Sequence, residues 1–189
     1  KIHTEGITKI TSSDFAYAKE MNMSIKLLAI SKVVEDKSYA MVAPCFIDRE
    51  NPLYMVNGVF NAVFVRGNML GDSMYYGRGA GKLPTASAVV SDVIDCARHM
   101  GKVIMCFWDA EEADLVSIDD IERKFFFRTR AGNEAKVKEL FGEDLQTVTL
   151  FDVPEETGFI TPIIKETEFV SRYALLADIV IGERIRIEA

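Results

Sequence analysis

Histidine and cysteine are scarce in this sequence, at two and three residues in 189. His3 and His99 lie far apart with no second histidine at ligand spacing, so no metal site is expected and each is read as a surface or interface histidine. Cys45, Cys96 and Cys106 form neither a Cys-x-x-Cys pair nor an even-numbered disulfide framework, which predicts buried, reduced thiols in a cytoplasmic protein. The sequence also lacks an apolar run near the roughly 20 residues that span a bilayer, and its start has no signal-peptide core; no membrane contact is expected. Bases are outnumbered, 22 against 29 acids for a net charge of -7, and they are scattered, which argues against nucleic acid as a partner. The chain begins at Lys1, as an excised fragment would.

Apolar material is plentiful, at 49% hydrophobic with 10% aromatic, enough for one or two cores. The sharpest composition shift is residues 109–122, with seven acids and no base, read as a solvated linker whose Leu115, Val116, Ile118 and Ile121 can dock a short turn. Before it, Ser12-Ser13-Asp14 offers N-caps for a helix to about residue 21, followed by a buried strand at 25–30. Residues 39–47 and 62–65 read as strands, with Pro44 marking an edge or bulge. Ala86, Val89, Val90, Val93, Ile94 and Ala97 recur at helical spacing after Pro84, with Gly101 as a stop, and 103–108 follows as a short strand.

After the acidic stretch, 125–130 predicts a strand and 134–141 a helix ending at Gly142. Residues 145–153 and 159–164 read as a hairpin about the turn 155–158, 166–177 as a helix with a Glu168–Arg172 pair, and 179–187 as a half-buried strand. That order is βαββαβ, a ferredoxin-like split βαβ unit. The expected fold class is α+β: a mixed sheet with covering helices in 1–108, then a ferredoxin-like domain over 123–189.

The most informative stretch is Tyr75-Tyr76-Gly77-Arg78-Gly79-Ala80-Gly81-Lys82. Three glycines in five residues permit positive φ and close backbone approach, and amides before a helix N-terminus can hold an anion or a cofactor edge. It is neither a Walker A loop nor a complete Gly-x-Gly-x-x-Gly, since Lys82 takes the last glycine position, and on spacing alone a tight turn into a helix fits better than a ligand loop. Lys26 and Lys32 read as edge charges, Glu5 as a cap or a partner for a base, Tyr75 and Tyr76 as packing residues, Asp92 and Asp95 as solvated, and Trp108 as a packing residue.

A series of blocks nevertheless resembles the homoserine dehydrogenase family, in that family's order. They are Thr4-Glu5-Gly6-Ile7-Thr8-Lys9-Ile10, Ile25-Lys26-Leu27-Leu28-Ala29-Ile30, Val56-Asn57-Gly58-Val59-Phe60-Asn61-Ala62-Val63-Phe64-Val65, Met74-Tyr75-Tyr76-Gly77-Arg78-Gly79-Ala80-Gly81 and Pro84-Thr85-Ala86-Ser87-Ala88-Val89-Val90. The likeness covers about residues 1–100, and the trailing βαββαβ unit resembles the ACT domain that many bacterial members append. The resemblance implies the later half of a catalytic and dimerisation domain at 1–108, a linker at 109–122 and an ACT-like regulatory domain at 123–189. It also implies an NAD(P)-dependent oxidoreductase that interconverts aspartate 4-semialdehyde and L-homoserine on the way to threonine, methionine and isoleucine, acting as a homodimer or higher homo-oligomer. Gly79, Ala80 and Gly81 match the family segment that touches the NADP or NAD cofactor. The family's catalytic lysine, substrate-binding acids, Rossmann glycines and monovalent-cation site all precede the first block. No catalytic residue is therefore carried over, and the fragment alone is expected to be inactive.

ACT modules commonly take a small amino acid between first strand and first helix, here residues 130–134. Gly132 and Asn133 are the effector-binding candidates and threonine the candidate effector, although the frequent Asp-x-Pro-Gly pattern is absent. The alternative is a non-catalytic amino-acid-sensing or assembly module.

Overall fold

The computed structural model describes residues 2–34, 37–103, 105, 107 and 110–188. Its elements in chain order are β1 (His3–Thr4), α1 (Ser12–Glu20), β2 (Ser24–Val34), β3 (Lys37–Ile47), β4 (Phe60–Gly67), β5 (Gly71–Arg78) and α2 (Lys82–Arg98). A 3-10 turn at Ile118–Asp120 follows, then β6 (Glu122–Arg130), α3 (Glu134–Phe141), β7 (Gln146–Val148), β8 (Glu156–Ile160), β9 (Ile164–Lys165), α4 (Glu166–Ala174) and β10 (Val180–Ile187). The mixed α+β character matches the expected class.

The chain forms two compact units, one of Lys1–Arg49 with Ala113–Ala189 and one of Glu50–Glu112. The expected division at 108 and 123 follows a different line, because one sheet joins the two ends of the chain. β6, β7, β8 and β10 pair antiparallel in the order β10-β6-β8-β7, the split βαβ arrangement, with α3 and α4 in the crossovers. β10 also runs parallel to β3, Arg186 opposite Cys45 and Ile187 opposite Phe46. On that side of β3, β1 pairs at Met41–Val42 and β10 at Cys45–Phe46, so Pro44, which has no amide hydrogen to donate, falls between two pairings.

Burial explains the junction. Side chains alternate across a strand, yet Phe125, Phe126 and Phe127 of β6 are all fully buried, so both sheet faces must be covered. One face packs Phe125 and Phe127 with Val137, Phe141, Phe159, Phe169 and Leu176 from the α3 and α4 side. The other packs Phe126 with Tyr17 and Ala18 of α1 and with Phe46, Ile160 and Ile185. The N-terminal helix thus roofs the C-terminal strands. Gly158 of β8 permits this approach: a Cβ there would lie 2.7 Å from Tyr17 Cε1 and 2.9 Å from Phe126 Cε2.

Several local expectations shift. Helix α1 is capped by Thr11, not by Ser12 or Ser13: Asp14 at the third position accepts from the Thr11 amide (2.7 Å), the reciprocal half of a capping box. β2 extends to Val34 and lies at the outside of the sheet, with Leu27 and Val33 exposed, so it is less buried than its composition suggests. Residues 156–158 belong to β8 and not to a turn. Among the expected acidic linker residues, Leu115 bridges to Ser38, and Ile118 and Ile121 pack on the cluster of Tyr39, Met41, Ala43 and Cys45. Cys45 is buried, its thiol pushed up to about 12 by that burial, whereas Cys96 on α2 is exposed; Cys106, Trp108 and half of the expected strand at 103–108 lie outside the described residues, and Val103, Met105 and Phe107 belong to no strand.

In the second unit, β4 and β5 form an antiparallel hairpin, Phe60 opposite Arg78 through Gly67 opposite Gly71. Residues 75–78, expected in the loop before the helix, are the end of β5. Helix α2 runs where its apolar spacing places it, yet Val89, Val90, Val93 and Ile94 are exposed. Among the described residues no helix is long and apolar enough to cross a membrane.

Candidate functional site

Gly79, Ala80 and Gly81 form the three-residue connection from β5 to α2, and all three are exposed. Gly81 is the N-cap with φ of 113°, a conformation that a side chain makes strained. The carbonyl of Gly81 accepts both the amide and the hydroxyl of Thr85, at 3.1 and 2.9 Å, which fastens the first turn. Pro84 sits in that turn, where an amide hydrogen has no intrahelical partner to lose. A Cβ on Gly79 would collide with the Asn61 side chain of β4, so that glycine serves the approach of the loop to the hairpin. Tyr76 stacks on Phe60 (ring centroids 4.8 Å apart), and the Arg78 guanidinium lies 5.3 Å from the Phe60 centroid. Of the two tyrosines expected to pack, Tyr76 does so within the hairpin while staying half exposed, and Tyr75 is exposed.

The loop can present backbone amides at the positive end of a 17-residue helix, with Arg78 and Lys82 on either side. These features fit the flank of an anionic dinucleotide. Gly79, Ala80 and Gly81 would lie along it through main-chain atoms, with only the Ala80 methyl group as a side chain.

The loop between β6 and α3 is built differently. Gly132 has φ of 84°, Asn133 caps α3, and the Asn133 amide donates to the Arg130 carbonyl at 2.8 Å. The Glu134 carboxylate accepts from the Gly132 amide at 3.3 Å and from the Thr157 hydroxyl at 2.8 Å, and the Ala131 amide donates to the Glu155 carbonyl at 2.9 Å. A hydrogen bond from its own backbone amide and one from the Thr157 hydroxyl hold the Glu134 carboxyl below its ordinary pKa. Both effector candidates therefore share one loop tied to the start of β8.

Two buried ionic clusters escaped sequence reading. In one, Arg186, fully buried, donates Nε to Glu166 at 3.0 Å and its terminal nitrogens to Glu5 at 2.7 and 3.0 Å; Arg184 and His3 also reach Glu5. Burial alone would raise the Glu5 carboxyl, but the hydrogen bonds and charge of Arg186, with His3 and Arg184, hold it down at about 2. Glu5 thus pairs with bases, one of the two roles expected for it. Nearby, Arg123 donates to Tyr39 Oη at 2.6 Å. In the other cluster, Arg128 binds Asp14 at 3.0 Å and the Glu156 carboxylate. Sequence held a faint signal for both: Arg128 follows three phenylalanines, and Arg186 sits between Ile185 and Ile187 on a strand whose two faces are both covered.

Comparison with known proteins gives the following. The family model described as homoserine dehydrogenase matches residues 1–94. A homoserine dehydrogenase of Helicobacter pylori is 39% identical over 137 residues, covering 72% of this chain and 32% of that protein; one of Neisseria gonorrhoeae is 37% identical over 140 residues, covering 70% and 32%. The crystal structure of a homoserine dehydrogenase from Thiobacillus denitrificans superposes with a TM-score of 0.78 at 29% identity, over 97% of this chain and 47% of that one. The chain spans about a third of the length of these curated relatives and about half of the solved chain.

Proposed function

The chain belongs to the homoserine dehydrogenase family, and from that premise we propose that it serves in an enzyme that interconverts L-homoserine and aspartate 4-semialdehyde with NADP or NAD, in the biosynthesis of threonine, methionine and isoleucine. The observation that carries this reading is the run of family blocks over residues 1–94, which includes an exposed glycine loop at a helix N-terminus. The nicotinamide cofactor supplies the hydride acceptor. Gly79, Ala80 and Gly81 line it with main-chain amides, while Arg78 and Lys82 add positive potential beside its phosphates. Proton transfer from the homoserine hydroxyl needs a general base, and we assign none in residues 1–189. The chain by itself is therefore inactive.

Residues 1–108 then form the later part of a catalytic and dimerisation domain and 123–189 an ACT-like regulatory domain joined through 109–122. Threonine is the proposed effector, held by Gly132 and Asn133. The setting is a cytoplasmic homodimer or higher homo-oligomer. Leu27 and Val33, exposed on β2, favour a sheet that pairs with another surface.

The experiment is oxidation of homoserine with NADP and with NAD by a full-length homoserine dehydrogenase containing this sequence, with the 189-residue chain beside it and threonine added to both. Turnover in the full-length protein alone supports the assignment. Turnover in the short chain overturns the statement that the base lies elsewhere, and turnover in neither overturns the enzymatic reading.

A further inference from the structure

The tripeptide that anchors the effector loop also anchors α1. On the loop side, the Glu155 carbonyl accepts from the Ala131 amide, Glu156 pairs across the sheet with Arg130, and Thr157 donates to Glu134. On the other side, the Glu156 carboxylate binds Arg128 Nη1, and the same guanidinium donates Nε to Asp14 at 3.1 Å and Nη2 to Thr11 at 3.3 Å. Thr11 and Asp14 are the cap and first turn of α1. Arg128 and Asp14 are almost wholly buried, so the link is shielded from water and salt. Gly182, in the irregular stretch of β10, leaves the space that the guanidinium fills: a Cβ there would lie 2.6 Å from Arg128 Nη2.

Steric contact runs beside the ionic one. Gly158, one residue beyond the tripeptide, lies against the Tyr17 ring of α1, so the start of β8 and α1 are in close packing contact as well. From α1 the chain passes within a few residues into β2 and β3. We propose that Glu156, Arg128 and Asp14 form the relay by which occupancy of the 130–134 loop is reported to the N-terminal segment, an inference that rests on the amino-acid-effector reading of that loop.

The test uses the full-length enzyme and reads two quantities separately, threonine binding by calorimetry and threonine inhibition of homoserine oxidation. Glu156→Gln keeps the side chain's size at a partly exposed position while removing the charge that binds Arg128. The expected result is a threonine dissociation constant within twofold of wild type, with the half-inhibiting concentration raised at least fivefold. Asp14→Asn cuts the relay at its far end, away from the loop, and is expected to uncouple the two readouts in the same way. Unchanged inhibition in both variants, with cooperative unfolding intact, overturns the relay. Wild-type protein that binds no threonine overturns the effector reading and the relay with it, and that failure is visible before any substitution is made.

Discussion

The two compact units spend their apolar residues in opposite ways. Lys1–Arg49 with Ala113–Ala189 closes phenylalanines from β6, β8, α3 and α4 into a core and ties its distant segments with buried arginines. Glu50–Glu112 carries family blocks as clear as any in the chain, yet leaves Val63, Tyr75, Val89, Val90 and Val93 exposed. Recognisable motifs and self-sufficient packing are therefore separate properties. A block can be legible because of what it touches in function, while a core can be silent in sequence because it is assembled from segments more than a hundred residues apart.

The most severe way to break this contrast is to remove an arginine from the first unit. Arg186→Met leaves Glu166 and Glu5 without their principal buried partner and is expected to cost about 3–5 kcal/mol, read as a lower urea midpoint. Gly158→Ala puts a methyl group against Tyr17 and is expected to cost about 1–3 kcal/mol by thermal unfolding. A milder probe is acid. The Glu5 carboxyl is held at about 2, below its unfolded value of 4.5, so its contribution is complete above 4.5 and is lost as pH falls towards 2. Stability followed over that window should decline less steeply in Glu5→Gln. At the small end, Val93→Ala on the exposed face of α2 should change stability by no more than about 0.5 kcal/mol, and a larger loss would show that the second unit does depend on that face.

Local structure was readable where a single segment decides it. The α2 spacing and the 134–141 helix with Gly142 beyond it follow from residues next to one another, and the structure shows both; the expected βαββαβ order appears with one added short strand, β9, before α4. The pairing of β10 with β3 was not readable, since nothing in a local window says that Arg186 will lie opposite Cys45. Nor was β5, whose glycines and tyrosines read as a loop until Phe60 and Tyr76 are seen to stack. The loop residues Gly79, Ala80, Gly81, Gly132 and Asn133 were singled out by family resemblance, since spacing alone read the glycine run as a tight turn; of the five, Gly81 and Gly132 adopt the positive φ that glycine permits. The buried arginines were missed because an arginine in a strand is ordinarily an exposed one. The run of three phenylalanines at 125–127, and more faintly the isoleucines on either side of Arg186, hinted at a sheet covered on both faces.

Native-state hydrogen exchange on this chain tests the central structural claim, that the two ends of the sequence make one cooperative sheet. The account predicts that the most protected amides of β3, β6, β8 and β10 exchange with a common opening free energy, and that β4, β5 and α2 exchange faster. Separate opening of β3 from β6 and β10, or equal protection across residues 50–112, would contradict it.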